Sequence, residues 1–201
     1  DFKPEHILDP ARPMTFGAFA DPSTFTEFRY QQFEAQLKAL SKIEEVARQF
    51  EESFGRYYGG LLDGYFLDDA EIVIVTLGSV VGTVKDAIDA MRSEGKKVGL
   101  LKIRSYRPFP VQALRKALKD AAVIAVMEKD VAIGGEAGLV TDLKAAFYSS
   151  SIRTPIIGFA AGLGGRDITI KDIRKIVEKA EAARKGDLSE FEFLALRKEI
   201  L

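Results

Sequence analysis

The stretch 71–88, Glu71-Ile-Val-Ile-Val-Thr-Leu-Gly-Ser-Val-Val-Gly-Thr-Val-Lys-Asp-Ala-Ile88, decides how the rest of the chain is read. Ile72 to Leu77 is a short, mostly β-branched apolar run, the pattern of a strand buried on both faces. Gly78 and Gly82 bracket a sharp turn. Beyond it Val80, Val84, Ala87, Ala90 and Met91 recur mostly at three- and four-residue steps, which gives a helix one apolar face. A strand thus feeds a helix, and the chain repeats the unit downstream. Further strands are expected at 97–103, 122–127 and 154–160, with helices at 80–94, 111–119, 138–149 and 169–184. Thr169, followed three residues later by Asp172, has the form of a capping box. Alternation of this kind predicts an α/β fold, a mainly parallel sheet with helices on both faces and right-handed crossovers.

Working outward, three regions are expected: an arm over 1–70, the α/β domain over 71–186, and a tail over 187–201. The tail carries Leu188, Phe191, Phe193, Leu194, Leu196 and Leu201 and is expected to be an amphipathic helix docked on its own domain or a neighbour. Four of the seven prolines fall in the first 22 residues, so the start of the arm is expected to be an extended, irregular strap. From Thr26 to Gly55 the residues Tyr30, Phe33, Leu37, Leu40, Ile43, Ala47, Phe50 and Phe54 step by three or four, predicting one long helix with Gly55 as its stop. Thirteen of the twenty Phe and Tyr residues precede Ala70. That much aromatic surface must be covered by the α/β domain, by a partner or by a preceding domain. The spacing slips between Leu40 and Ile43, which argues against a regular coiled-coil seam.

Composition narrows the function. Lys plus Arg (29) nearly balances Asp plus Glu (30), so the overall charge offers no argument for nucleic acid or an anionic membrane. No apolar run approaches the roughly 18 residues of a membrane span, and a cytoplasmic setting is the expectation. With no cysteine and a single histidine, His6, the sequence excludes thiolate-held zinc, iron–sulfur clusters and a cysteine nucleophile on this chain.

In a parallel sheet every strand-to-helix turn emerges at the carboxyl edge, where ligands sit. Four loops are expected there, bearing Gly78, Ser79, Gly82 and Thr83, then Arg104 and Arg107, then 128–138, then Gly164, Gly165, Arg166 and Asp167. Gly78-x-x-x-Gly82 is neither the G-x-G-x-x-G of dinucleotide folds nor a P-loop, and its plainer reading is a tight turn with close helix packing. Arg166 beside a helix start has the ingredients of an anion site, or it pairs with Asp167 or a neighbouring loop. Glu128 and Asp130 form an acidic pair at a strand end, without a histidine, cysteine or metal-spaced set to complete an active site.

Three of these motifs, in this order and spacing, carry a resemblance: Gly78-Ser79 with Gly82-Thr83, Arg107-Pro108-Phe109-Pro110, and Gly162-Leu-Gly-Gly-Arg-Asp-Ile-Thr169. Over about residues 71–180 the chain resembles the second domain of the alpha subunit of pyruvate and related 2-oxoacid:ferredoxin oxidoreductases, a relative of the transketolase C-terminal domain. The strap and long helix, with Phe33, Leu37 and Gly55-Arg56, resemble the segment preceding that domain. The resemblance implies a multi-subunit enzyme that uses thiamine diphosphate, iron–sulfur clusters and coenzyme A to decarboxylate a 2-oxoacid, pyruvate first among candidates, passing electrons to ferredoxin. It also implies a domain preceding Asp1, and cofactor chemistry on other domains or chains. For this chain it implies a structural and subunit-contact role with no catalytic residue, no cofactor of its own, and other subunits as partners. Self-association through the arm is a further expectation. The alternative is an independent α/β binding domain that holds a nucleotide or carboxylate at its glycine-rich rim.

Overall fold

The computed structural model describes residues 2–17, 19–187 and 189–201. By contacts the chain divides into two units, Asp1–Ala39 and Leu40–Leu201, and the division falls inside one helix, α1 (Phe25–Phe54). Up to residue 24 the described residues of the first unit form no regular element, as four prolines in 22 residues predict. α1 is 30 residues long, about 45 Å at about 1.5 Å per residue, and ends at Gly55, whose φ of 65° takes the left-handed form that stops helices. None of its described residues is buried.

The second unit holds a six-stranded sheet in the order β1-β3-β2-β4-β5-β6. The strands are β1 (Leu62–Tyr65), β2 (Ile72–Thr76), β3 (Val98–Ile103), β4 (Val123–Glu128), β5 (Ile156–Ala160) and β6 (Phe191–Phe193). β2 through β6 run parallel, and β1 lies antiparallel on β3. Helices α2 (Val81–Ser93), α3 (Val111–Leu118), α4 (Gly138–Tyr148) and α5 (Ile170–Arg184) make the crossovers. The period of two in β2 sorts its side chains between two cores. Ile72 and Ile74 pack with Val84, Ile88 and Met91 of α2 and Ile173 and Ile176 of α5; Val73 and Val75 pack with Leu114 of α3 and Leu139 and Leu143 of α4. Helices thus cover both faces of a mainly parallel sheet. The capping box at the start of α5 is formed, with Asp172 N–H donating to Thr169 Oγ1 and Thr169 N–H to Asp172 Oδ2.

Two elements differ from the sequence expectation. The tail is not an amphipathic helix: Phe191–Phe193 forms β6, and Lys198–Ile200 forms one 3₁₀ turn. The physical reason lies at Gly158 of β5. A Cβ there would stand 2.5 Å from the Phe191 ring, so the missing side chain leaves the notch that seats the tail as a strand. Leu188 lies outside the described residues. The second difference is β1, inside the region read as arm. Its Leu62-Asp-Gly-Tyr65 sequence lacks the β-branched alternation that marks a strand, and its pairing with β3 defines it.

Candidate functional site at the carboxyl edge

From β2, α2 leads to β3 on one side, and from β3, α3 leads to β4 on the other side of β2. The connections that leave the carboxyl ends of neighbouring β2 and β4 therefore run to opposite sides, a topological switch point, the usual place for a ligand crevice in such sheets. A cavity of about 380 Å³ lies there, lined by Thr76, Ser79, Val80, Tyr106, Met127 and Glu128 among others. Thr76 Oγ1 donates to the Met127 carbonyl at 2.8 Å and ties the two strand ends together at its base.

Glu128 ends β4, and its carboxylate faces the start of α4. The N-cap residue there, Ala137, has no side chain able to accept a hydrogen bond. Glu128 takes that role from the other end of the same loop: Leu139 N–H donates to Oε2 at 2.6 Å and Val140 N–H to Oε1 at 2.8 Å. Burial raises its pKa, the two N–H groups oppose the rise, Asp130 and Asp142 add to it, and the net direction is above the ordinary carboxylate value. Both oxygens are committed to the helix start, which is a structural task. Glu128→Ala is expected to cost about 2 kcal/mol in urea denaturation, since two helix N–H groups lose their acceptor. The pH dependence has a definite sign. A carboxyl whose folded pKa lies above its unfolded value of about 4.3 contributes stability below that value, and the contribution is lost as pH rises through the folded pKa. Over that window the unfolding midpoint of wild type is expected to fall relative to that of Glu128→Gln.

Of the predicted rim cations, Arg104 follows β3 but turns away from the crevice and donates to the carbonyls of Tyr58 and Gly59. Arg107 donates to Asp142 Oδ2 at 2.6 Å and lies over the Tyr106 ring at 4.2 Å. The Tyr106 hydroxyl donates to the same carboxylate oxygen at 2.6 Å. Arg166 donates to the Ala195 carbonyl at 2.5 Å, and among the described residues it makes no ion pair with the exposed Asp167. The structure thus places the three guanidiniums on three separate anchors. Tyr106 and Asp142 were not singled out by the sequence, and no spacing signal links a loop tyrosine to an aspartate 36 residues on.

The glycines divide by role. Gly78 has a φ of 78° and makes the turn out of β2, whereas beside Gly82 a Cβ would meet nothing within 4 Å, so close helix packing does not explain it. Ser79 and Thr83 flank the start of α2, whose N-cap, Val80, makes no side-chain cap bond. Gly164 and Gly165, both left-handed, form a 3₁₀ turn before α5.

The donor set bears on cofactors. Iron–sulfur clusters need thiolates, and the sequence has no cysteine. Among the described residues no group of three His, Cys, Asp or Glu side chains is placed to hold a metal ion. The residues present do not fit an iron–sulfur cluster.

Known proteins bear on the same points. The sequence profile of the family described as pyruvate:ferredoxin oxidoreductase core domain II matches residues 70–173, more than half of the chain. Pyruvate synthase subunit PorA of Methanosarcina barkeri is 50% identical over 202 residues, covering 100% of this chain and 50% of that protein. Ketoisovalerate oxidoreductase subunit VorA of Pyrococcus horikoshii is 38% identical over 88% of this chain and 45% of its own length. The chain spans about half the length of the curated relatives it matches. Among solved structures, the 2-oxoglutarate:ferredoxin oxidoreductase from Magnetococcus marinus aligns with a TM-score of 0.53 at 18% identity, over 81% of this chain and 24% of that one, a likeness of fold. With the profile matched from the start of the α/β domain, just ahead of β2, into the first turn of α5, the chain belongs to the family of pyruvate:ferredoxin oxidoreductase core domain II.

Proposed function

We propose that this chain is part of the alpha subunit of a thiamine-dependent 2-oxoacid:ferredoxin oxidoreductase and serves there as a structural and subunit-contact domain without an active site of its own. Pyruvate is the first candidate substrate of the assembly, because the relative at 50% identity is a pyruvate synthase subunit. Similarity to a ketoisovalerate oxidoreductase subunit fits a domain that does not itself discriminate sharply among 2-oxoacids. One observation carries the contact role: none of the 30 residues of α1 is buried and its aromatic side chains all stay exposed, while the chain's own groups engage each predicted rim guanidinium. A free cation at the rim would invite a soluble anion; a paired one stabilises the loop that bears it. In this reading thiamine diphosphate, the clusters, coenzyme A and ferredoxin are engaged by other domains and subunits, in the cytoplasm.

The crevice cavity of about 380 Å³ supports the rival reading, a binding domain for a nucleotide or carboxylate. Thermal-shift titration of the chain with NAD, NADP, coenzyme A and thiamine diphosphate separates the two. No saturable shift is expected. A saturable shift abolished by Arg107→Ala would overturn the contact reading in favour of the rival.

A further inference from the structure

We infer that the C-terminal strand β6 is a releasable latch whose docking fixes the glycine-rich loop 162–167, so that the tail controls where Arg166 stands at the carboxyl edge. Two backbone bonds flank the docked strand: Gly158 N–H donates to the Glu190 carbonyl and Leu194 N–H to the Ala160 carbonyl, both at 2.9 Å. The Phe191 ring fills the notch at Gly158, with the site of a Cβ 2.5 Å from its Cδ2 and 3.0 Å from its Cε2. Lys179 of α5 pairs with Glu192 at 3.1 Å. All of these contacts lie on one edge of the sheet.

The backbone bonds of the loop itself are local, from Gly165 N–H to the Gly162 carbonyl and from Arg166 N–H to the Leu163 carbonyl. Gly162, Gly164 and Gly165 all take positive φ, and beside Gly164 and Gly165 a side chain would meet nothing within 4 Å. Among the described residues the loop's side-chain hydrogen bond to the tail is that of Arg166 to the Ala195 carbonyl. Ala195 holds a φ of 53°, a conformation alanine rarely adopts, so the tie fixes a residue that would relax once released. The strand is also weakly held compared with its neighbour. β6 is three residues long with none buried, and Leu196, Ile200 and Leu201 beyond it are exposed, whereas four of the five residues of β5 are buried. Short, half-exposed edge elements open at lower free energy than the core. Opening of β6 removes the partner of Arg166, and the loop then regains the freedom its glycines allow.

Amide hydrogen exchange on the full 201-residue chain tests this, comparing wild type with Phe191→Ala, Arg166→Ala and the double variant. Phe191→Ala empties the notch and is expected to speed exchange at least tenfold at Gly158 and Leu194. The same rise is expected at Gly165 and Arg166, whose N–H groups bond to Gly162 and Leu163 carbonyls, with β4 unchanged. In the Arg166→Ala background, Phe191→Ala should change the loop no further. The inference is overturned if the loop amides keep their wild-type rates while the tail accelerates. It is equally overturned if the tail exchanges only as fast as Ile124 and Val126 of β4, since the tail is then part of the cooperative core. Phe191→Leu, which refills most of the notch, should restore both sets of rates.

Discussion

Replacing Gly99 by alanine is expected to destabilise the unit Leu40–Leu201 by about 3 kcal/mol, the upper end of what overpacking a well-filled core costs. Gly99 lies in β3, between β1 and β2. A Cβ there would stand 2.5 Å from the Phe66 carbonyl oxygen, 3.1 Å from the Phe66 carbonyl carbon and 2.9 Å from Ala70 Cβ. The obstacle is backbone, which a rotamer change cannot move. Nor can the turn retreat, because Arg92 clamps it. The guanidinium donates to the Phe66 carbonyl at 2.9 Å, to Asp69 at 2.7 Å and to the Val98 carbonyl at 2.8 Å, and it lies 4.9 Å from the Phe66 ring centroid. Phe66 itself holds a φ of 51°, an unusual backbone for a bulky residue. Urea denaturation should show a lower midpoint with an unchanged slope. A loss below about 1 kcal/mol would mean that the turn is free to move and that Arg92 does not clamp it.

The second large effect concerns the arm. Within the unit Asp1–Ala39, the helical residues Phe25, Phe28, Tyr30, Phe33 and Leu37 are all exposed, Phe33 by 60%. With about 150–250 Å² per aromatic side chain, these five alone leave on the order of 500 Å² of apolar surface wet. Phe2, Leu8 and Phe19 of the strap, each more than four-fifths exposed, add to it. Monomers rarely carry a contiguous apolar patch beyond about 300–600 Å² unless it is used. The purified chain is therefore expected to self-associate with rising concentration in sedimentation velocity. The variant Phe33→Glu/Leu37→Glu should raise the apparent dissociation constant at least tenfold, while urea denaturation of the α/β unit stays unchanged. Two charges on a face already exposed to solvent cost association and leave folding alone. A strict monomer at high concentration in the wild type would count against the arm as a contact surface.

The parallel part of the sheet was legible because buried strands of an α/β fold are nearly continuous apolar runs rich in Val and Ile, as in Ile72–Thr76 and in the first five residues of β4. The helix ends that carry side-chain chemistry were legible too, with Thr169 and Asp172 as the clearest case. Edge elements were not. β1 and β6 are held by register against a neighbour and, for β6, by a notch at a distant glycine, and neither cause leaves a local pattern. The loops that carry the rim residues follow strand ends, which a sequence can mark, but the partners of those residues were hidden. Arg104 reaches back 45 and 46 residues, Arg107 forward 35 and Arg166 forward 29. Glu128 reads in the sequence as a candidate acid or base, and only its contact with a helix that lacks a capping side chain makes it structural.

The most direct test of the central claim is turnover by the purified chain alone, supplied with pyruvate, thiamine diphosphate, coenzyme A and oxidised ferredoxin. No ferredoxin reduction above the buffer rate is expected at any pH where the chain stays folded, since the half-buried carboxylate of Glu128 at the crevice is spent on the start of α4 and the rim cations on their own anchors. Reduction of ferredoxin that depends on the 2-oxoacid and is lost in Glu128→Gln, with folding intact, would contradict the claim.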